Sequence, residues 1–459
     1  MQGSFARTTR RAPVLVIMLF AACASAPATG PTLVERLVAS ETRAANAEAR
    51  AIAAESRLAA AEARVPLLDT LTSAPPLSAG MDPVLSATLD SIVESALAAG
   101  AAPGAALAVG RYGRLVHTGA YGRIDAEAGT PAVTDSTLFD LASLTKVVGT
   151  TTAAMILEEE GRLDLDRPVH DYLPALDALD KAGITVRQIL THSGGFIAGA
   201  PLWRDAHDQA GFLRMMNART LAYAPGDSSI YSDWDLILTG MIVERLTGQR
   251  LDTFLEQRVW GPLGMRDTGF NPLARVPLPD GVECTAAWRA GHPLLPRIAA
   301  TEIDTVYRDL QIHGIVHDEN ACALGGVAGH AGLFSSARDL AVFAQMMLNG
   351  GEYDGVRILK PQTIARWTAP QNDHSSRALG WDTPAPRSSA GDFFSPRAFG
   401  HTGFTGTSIW VDPARGLFVV LLTNRVNPTR ANSLHVPLRR AVADAAQRAI
   451  LDAPLRARW

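Results

Sequence analysis

From Leu138 to Thr151 the chain reads LFDLASLTKVVGTT, an apolar run with one lysine, Lys146, near its centre. So apolar a segment has to pack inside a fold, and burial disfavours an ammonium charge. The lysine therefore either snorkels to water or works as an amine. It is conspicuous in this chain, which has only three lysines, Lys146, Lys181 and Lys360, among 42 lysines and arginines. Arginine cannot shed its proton, whereas lysine can be tuned toward a neutral base. Of the three, Lys146 alone follows a serine, Ser143, at a distance of three residues.

Ser143 can start a helix that runs to about Glu160 and stops at Gly161. Positions i and i+3 are neighbours on a helix, so the Lys146 amine can reach the Ser143 hydroxyl. A desolvated neutral amine beside a hydroxyl activates a nucleophile. A helix N-terminus also offers N–H groups to an oxyanion forming on a substrate. S-x-x-K alone has a plainer reading, a capping serine and a snorkelling lysine.

Two later stretches add weight. In APGDSSIYSDWDLILTGMIVERLTG, Tyr231-Ser232-Asp233 lies in a loop after Pro225-Gly226, and a helix follows with Ile237, Met241 and Val243 among its buried candidates and Gly248 as its stop. A tyrosine beside a cation ionises more easily and can shuttle protons. FGHTGFTGTSIWVDPARGLFVVLLTN reads as two apolar strands joined by an Asp-Pro-Ala-Arg-Gly turn, with His401-Thr402-Gly403 at the start of the first. Glycine there lets a substrate backbone approach closely.

Ser143-x-x-Lys146, Tyr231-x-Asp233 and His401-Thr402-Gly403, in that order, resemble the motifs of the serine β-lactamase and penicillin-binding protein superfamily. The likeness is to its class C-like branch, which includes D,D-peptidases, esterases and amidases. It spans about residues 83–450. ITVRQILTHSGGF (184–196) and GHAGLFSSARDLAVFAQMMLNGG (329–351) resemble the same branch. The stretch IAATEIDTVYRDLQIHGIVHDENACALGGVAGHAGLFSS is similar to exported cell-wall serine hydrolases found beside or fused to N-acetylhexosaminidases.

The resemblance implies that Ser143 is a nucleophile forming an acyl-enzyme. Lys146 and Tyr231 would share proton transfer, either of them serving as base in acylation. The N–H groups of Ser143 and Phe404 would form an oxyanion hole. Asp233, His401, Thr402 and Gly403 would contact the substrate, His401 at its carboxylate or carbonyl side. Two departures stand out. The third motif more often begins with lysine, and His401 is fully charged only at lower pH. The second often ends in asparagine, and Asp233 cannot donate an amide hydrogen bond. Both weigh against strong β-lactam hydrolysis.

The N-terminus reads as an address. Arg7, Arg10 and Arg11 precede a short apolar run, Val14 to Ala22, which fits a signal peptide and is too short to span a membrane. The run ends LFAAC, which resembles a lipoprotein cleavage site with Cys23 lipidated. The rival cut, after Ala24, would leave a soluble exported protein. Glu recurs at 41, 48, 55 and 62 and Arg at 43, 50, 57 and 64, in an alanine-rich stretch suited to a helical spacer about 50 Å long. Thr32 with Glu35 forms a capping box, and Pro66 ends the helix. The heptad could pair two copies into a dimer, although an alanine seam favours a solvated spacer. The division is thus a signal peptide (1–22), a lipidated N-terminus and stalk (23–66), a linker (67–82) and a catalytic domain (83–459).

A net charge of −4 with no basic patch gives no indication of nucleic acid. Beyond Cys23 only Cys284 and Cys322 remain, which are read as unpaired. His313 and His317 are four apart, but Gly314, Ile315 and Val316 between them favour a loop near the cleft over a zinc helix. No cofactor or metal is expected. His192 reads as a structural hydrogen-bonding group, and Arg425 as a solvated arginine. No G-x-S-x-G is present, which disfavours an α/β-hydrolase.

The expected fold is α+β: an antiparallel sheet from strands near 104–121 and 404–423, packed against N- and C-terminal helices, with a mostly helical second lobe and the site between them. The expected activity is acyl transfer to water from an amide or ester, on a peptidoglycan fragment, a β-lactam or a small ester. The alternatives are a class C-like β-lactamase and a non-catalytic cell-wall-binding lipoprotein.

Overall fold

Two apolar runs from opposite ends of the chain lie side by side at the centre of a sheet. GAALAVGR forms β2 (Gly104–Arg111) and LFVVLLT forms β6 (Leu417–Thr423), paired antiparallel from Leu417 opposite Arg111 to Thr423 opposite Ala105. Both runs are continuous rather than alternating because both faces of the sheet are covered. Leu107, Val109, Val419 and Leu421 face α1 (Leu85–Ala98) and α5 (His435–Arg448). Ala106, Ala108, Val420 and Leu422 face the larger core that holds the nucleophile segment.

This computed structural model describes residues 68–273, 292–373 and 375–458. The sheet is completed by β1 (Thr72–Ser73), β3 (Arg114–Gly122), β4 (Phe399–Thr402) and β5 (Ser408–Asp412), in the order β1-β3-β2-β6-β5-β4. Every neighbouring pair is antiparallel except β1 with β3, so the sheet is mixed at one edge. β1 belongs to the segment read as a linker. Residues 68–82 run along the domain, with Ala79 and Met81 buried.

The two-strand reading of 399–424 is corrected to three. His401 and Thr402 end β4, a short strand at the sheet's rim, instead of starting the strand that follows. Four residues carry too little alternation to declare a strand. The signal peptide, the stalk, Cys23 and Cys284 lie outside the described residues. Cys322 is buried in a small cluster with Ile312, Ile315 and Val316.

The nucleophile segment is helical from Ala142 to Glu159, with Gly161 beyond it at φ 69°. It is not one regular helix, however. A tight turn at Ala142–Leu144 passes into a wide π turn over Lys146–Thr151 and then into α2 (Thr152–Glu159). The Thr152 hydroxyl bonds the Val147 carbonyl at 2.8 Å within the widened stretch. Wide turns of this kind are frequent at functional sites.

GHAG at 329–332 runs between this segment and α3 (Asp233–Thr247). Thr150 Oγ1 donates to the Gly329 carbonyl at 2.7 Å. A Cβ on Gly329 would come within 1.9 Å of the Leu236 carbonyl, so only glycine fits there. α4 (Ala337–Leu348) follows, with Ser336 accepting the Asp339 N–H at its start. α3 begins at a Ser232 cap and ends before Gly248 at φ 71°.

Candidate active site

Asp140 shapes the turn that presents Ser143. Its Oδ1 accepts the Ala142 N–H at 2.8 Å and its Oδ2 accepts the His317 N–H at 2.6 Å. Ala142 takes φ 46°, in the left-handed region. That conformation costs a non-glycine residue roughly 1–2 kcal/mol, which the bonds to Asp140 offset. Ser143 then lies in the first helical turn, where N–H groups have no intrahelical acceptor.

Lys146 does not snorkel. It is fully buried, and its Nζ donates to Ser143 Oγ at 3.0 Å, Asp233 Oδ1 at 2.7 Å and the His330 carbonyl at 3.0 Å. Burial pushes its pKa down, but the Asp233 carboxylate and then Tyr231 outweigh this and hold it above the usual lysine range. The expectation of a neutral amine is therefore corrected for the resting site. The lysine is an ammonium because position 233 carries a carboxylate. Asp233 is engaged with Lys146 through Oδ1, and its side chain is still 32% exposed.

The Tyr231 hydroxyl is buried, with Lys146 and Ser143 as its polar neighbours. Lys146 Nζ lies 5.0 Å from the ring centroid, and the His192 and His401 rings lie 4.6 and 5.8 Å away. Burial raises the Tyr231 pKa more than Lys146 lowers it, and Asp233 adds to the rise. Both proton-handling groups therefore hold their protons at neutral pH. If either must deprotonate to activate Ser143, kcat/KM should climb with pH from 7 to 9 without levelling. A profile flat over that range would contradict this charge assignment.

Behind Tyr231, His192 Nδ1 lies 2.9 Å from Asp235 Oδ2 and accepts the Ser232 N–H at 3.2 Å. A nitrogen accepting that N–H carries no proton of its own, so the bridging hydrogen belongs to the Asp235 carboxyl. Burial holds the His192 pKa far down and the Asp235 pKa far up, consistent with a neutral pair. His192 is thus a structural group supporting Tyr231.

The opposite wall is the turn after β4. A Cβ on Gly403 would meet Thr407 Oγ1 at 2.1 Å and the Leu141 carbonyl at 2.3 Å, so this position admits only glycine. Thr405 and Thr407 hydroxyls donate to the Asp140 and Leu141 carbonyls at 2.6 and 2.9 Å. These bonds fasten the turn to the segment leading into Ser143. The Phe404 N–H has no acceptor among the described residues. The Phe404 ring is 48% exposed, stacked on His317 and covered by Arg425 at 4.3 Å. Arg425 is buried, not solvated, and its Nε donates to the Phe404 carbonyl at 2.7 Å. His313 and His317 bond different partners, the Ile298 carbonyl and Glu302.

His401 Nδ1 lies 2.8 Å from the Thr402 carbonyl, which assigns the proton to Nδ1. Its Nε2 is buried, has no hydrogen-bond partner among the described residues and is left as an acceptor. Burial first, then Arg377 and Lys146, hold its pKa well below the usual histidine value. His401 therefore offers no cation to a carboxylate. Arg377 does: its guanidinium carbon lies 4.9 Å over the Tyr231 ring, and its partner Asp382 is 3.7 Å away. Its loop lies along β4, where Asp382 and Gly400 exchange backbone hydrogen bonds at 2.9 Å. No motif in the sequence marks Arg377, and only its position beside Tyr231 identifies it.

A family model described as Beta-lactamase matches residues 89–444. A protein of Escherichia coli O157:H7 named "Putative D-alanyl-D-alanine carboxypeptidase" is 34% identical over 391 residues, covering 77% of this chain and 86% of the relative. A protein of the same name from Escherichia coli K12 is 36% identical over 322 residues, covering 64% of this chain and 70% of the relative. Among solved structures, a penicillin-binding protein homolog from Caulobacter crescentus has a TM-score of 0.63 at 24% identity, covering 81% of this chain and 99% of that one. A class C beta lactamase has a TM-score of 0.60 at 19% identity, covering 78% and 97%. These two structures bear on the fold alone.

Proposed function

The chain belongs to the beta-lactamase family of serine hydrolases, and from that premise we propose that it is an exported D,D-carboxypeptidase-type enzyme acting through a Ser143 acyl-enzyme. The observation that carries the reading is the 3.0 Å contact of Ser143 Oγ with a buried Lys146, both neighbours of the Tyr231 hydroxyl. Ser143 attacks the carbonyl of a terminal D-amino-acid amide. Once the Lys146–Tyr231 pair has lost one of its protons to solvent, it takes the Ser143 proton and passes it on to the leaving amine. The Ser143 and Phe404 N–H groups receive the oxyanion. Water then hydrolyses the acyl ester.

A substrate with a free terminal carboxylate suits Arg377, the cation at the Tyr231 side of the site. The relatives' printed names support the same substrate class. The test is release of D-alanine from a peptide ending in D-Ala-D-Ala, compared with the same peptide amidated at its C-terminus. Arg377→Ala should raise KM for the free acid about tenfold or more, the usual scale for a charged hydrogen bond, and leave the amide nearly unaffected. Equal loss on both peptides would remove Arg377 from substrate recognition. No D-alanine release by the unaltered enzyme would overturn the carboxypeptidase reading.

The proposal includes attachment to a membrane through lipidated Cys23, supported by the arginine-flanked apolar run before it. Incorporation of labelled palmitate that is lost in Cys23→Ser tests this part separately.

A further inference from the structure

We infer that Arg439, on the last helix of the fold, is a positioning residue that aims the Phe404 N–H at the developing oxyanion. This rests on the reading of Ser143 as an acylated nucleophile. Arg439 is buried on α5, and its guanidinium grips one turn. Its Nη2 donates to the Gly403 carbonyl at 2.6 Å and the Thr407 carbonyl at 2.7 Å, and its Nε to the Gly406 carbonyl at 3.2 Å. No carboxylate pairs with it among the described residues.

A trans peptide unit points its C=O and N–H in opposite directions. The unit between Gly403 and Phe404 has its C=O drawn toward Arg439. Its N–H, which belongs to Phe404, therefore points away from α5. Glycines at 403 and 406, the latter at φ 110°, give this turn more backbone freedom than other residues would, and the Gly403 N–H to Thr407 carbonyl bond at 2.7 Å restrains it from within. The backbone bond from Gly406 N–H to the Gly403 carbonyl closes the turn at 3.1 Å. Arg439 holds three of the turn's carbonyls from outside with a rigid planar fork, which a lysine could not reproduce. Arg425 fixes the next unit by bonding the Phe404 carbonyl.

The arginine also brings charge. Burial and then Arg425 push its pKa down to about 9, as expected for a cation with no carboxylate partner. It is therefore still protonated at neutral pH, on the carbonyl side of the peptide unit whose N–H faces the site.

The experiment compares Arg439→Lys and Arg439→Met with the unaltered full chain. Two readouts report on the oxyanion site. One is affinity for an aryl boronic acid, whose boron accepts the Ser143 oxygen and becomes a tetrahedral boronate while the serine proton leaves to solvent. The other is the infrared carbonyl band of the acyl-enzyme. In the methionine variant kcat and boronate affinity should fall together by roughly 10- to 100-fold. KM for a neutral ester should stay within about twofold. The acyl carbonyl band should move to higher frequency, and the lysine variant should lie between. A folded variant with unaltered boronate affinity and carbonyl band would overturn the inference. Failure of both variants to fold would also count against it, because Arg439 would then hold the fold and not one turn. Absence of any boronate or acyl adduct in the unaltered enzyme would defeat the acyl-enzyme reading itself, before any variant is compared.

Discussion

Ser143→Ala is expected to reduce turnover by about 10⁵-fold or more, the scale seen when a nucleophile is removed from a serine hydrolase. The same change should abolish covalent labelling by a fluorophosphonate, read by intact mass. Its effect on stability should be small. Lys146 keeps two of its three acceptors, Asp233 and the His330 carbonyl, when the serine oxygen goes. The lost bond is worth about 1 kcal/mol. An alanine variant that still takes one fluorophosphonate would place the nucleophile elsewhere. An unaltered enzyme that takes none would favour a binding protein without catalysis. A stable penicillin adduct on the unaltered enzyme would join the site to peptidoglycan chemistry, and rapid turnover of penicillin would favour a β-lactamase.

Lys146→Met should lower kcat by about 10³- to 10⁴-fold, at the upper end for a proton-transfer group. The loss combines the proton route with an Asp233 carboxylate left without its cation. The informative companion is Asp233→Asn. Asp233 raises the pKa of both Lys146 and Tyr231. Removing its charge should therefore move the ascending limb of the pH–rate profile to lower pH, whichever group is the base. A limb that stays in place or moves up would mean that Asp233 does not control the protonation of the site. The stability effect has the opposite pH sense. The Lys146 pKa is raised on folding, so the ion pair stabilises fully below the unfolded lysine value and is lost as pH rises through the folded one. Asp233→Asn should therefore be less stable than the unaltered protein at pH 7, with the gap narrowing in strongly alkaline solution.

Local signals carried far along this chain. The apolar runs at 104–111 and 417–423 foretell buried strands, and α3 stops before Gly248 where a stop is expected. The Ser143–Lys146 contact follows from a spacing of three. What is set by distant partners was not legible. The charge on Lys146 depends on Asp233, 87 residues away. Arg377 and Arg439 carry no motif, and each has meaning only through the ring or carbonyls it meets. Arg425 looks like a surface cation after a strand, yet it turns inward because the chain at Phe404, Arg430 and Asn432 offers it carbonyls. The strand at Phe399–Thr402 is too short to be recognised without the neighbour that pairs with it.

Gly104 and Asn424 share a hydrogen bond across 320 residues. The central strand pair beside them can form only after nearly the whole chain has left the ribosome. Contacts of such sequence separation fold late. The Ser143 segment can gather its helical neighbours early, but the turn holding Phe404, and Arg439 behind it, arrive last. On the proposed mechanism, a nascent chain ending before Phe404 would hold only one of the two N–H groups assigned to the oxyanion. Catalysis by that mechanism would await the C-terminal quarter of the chain.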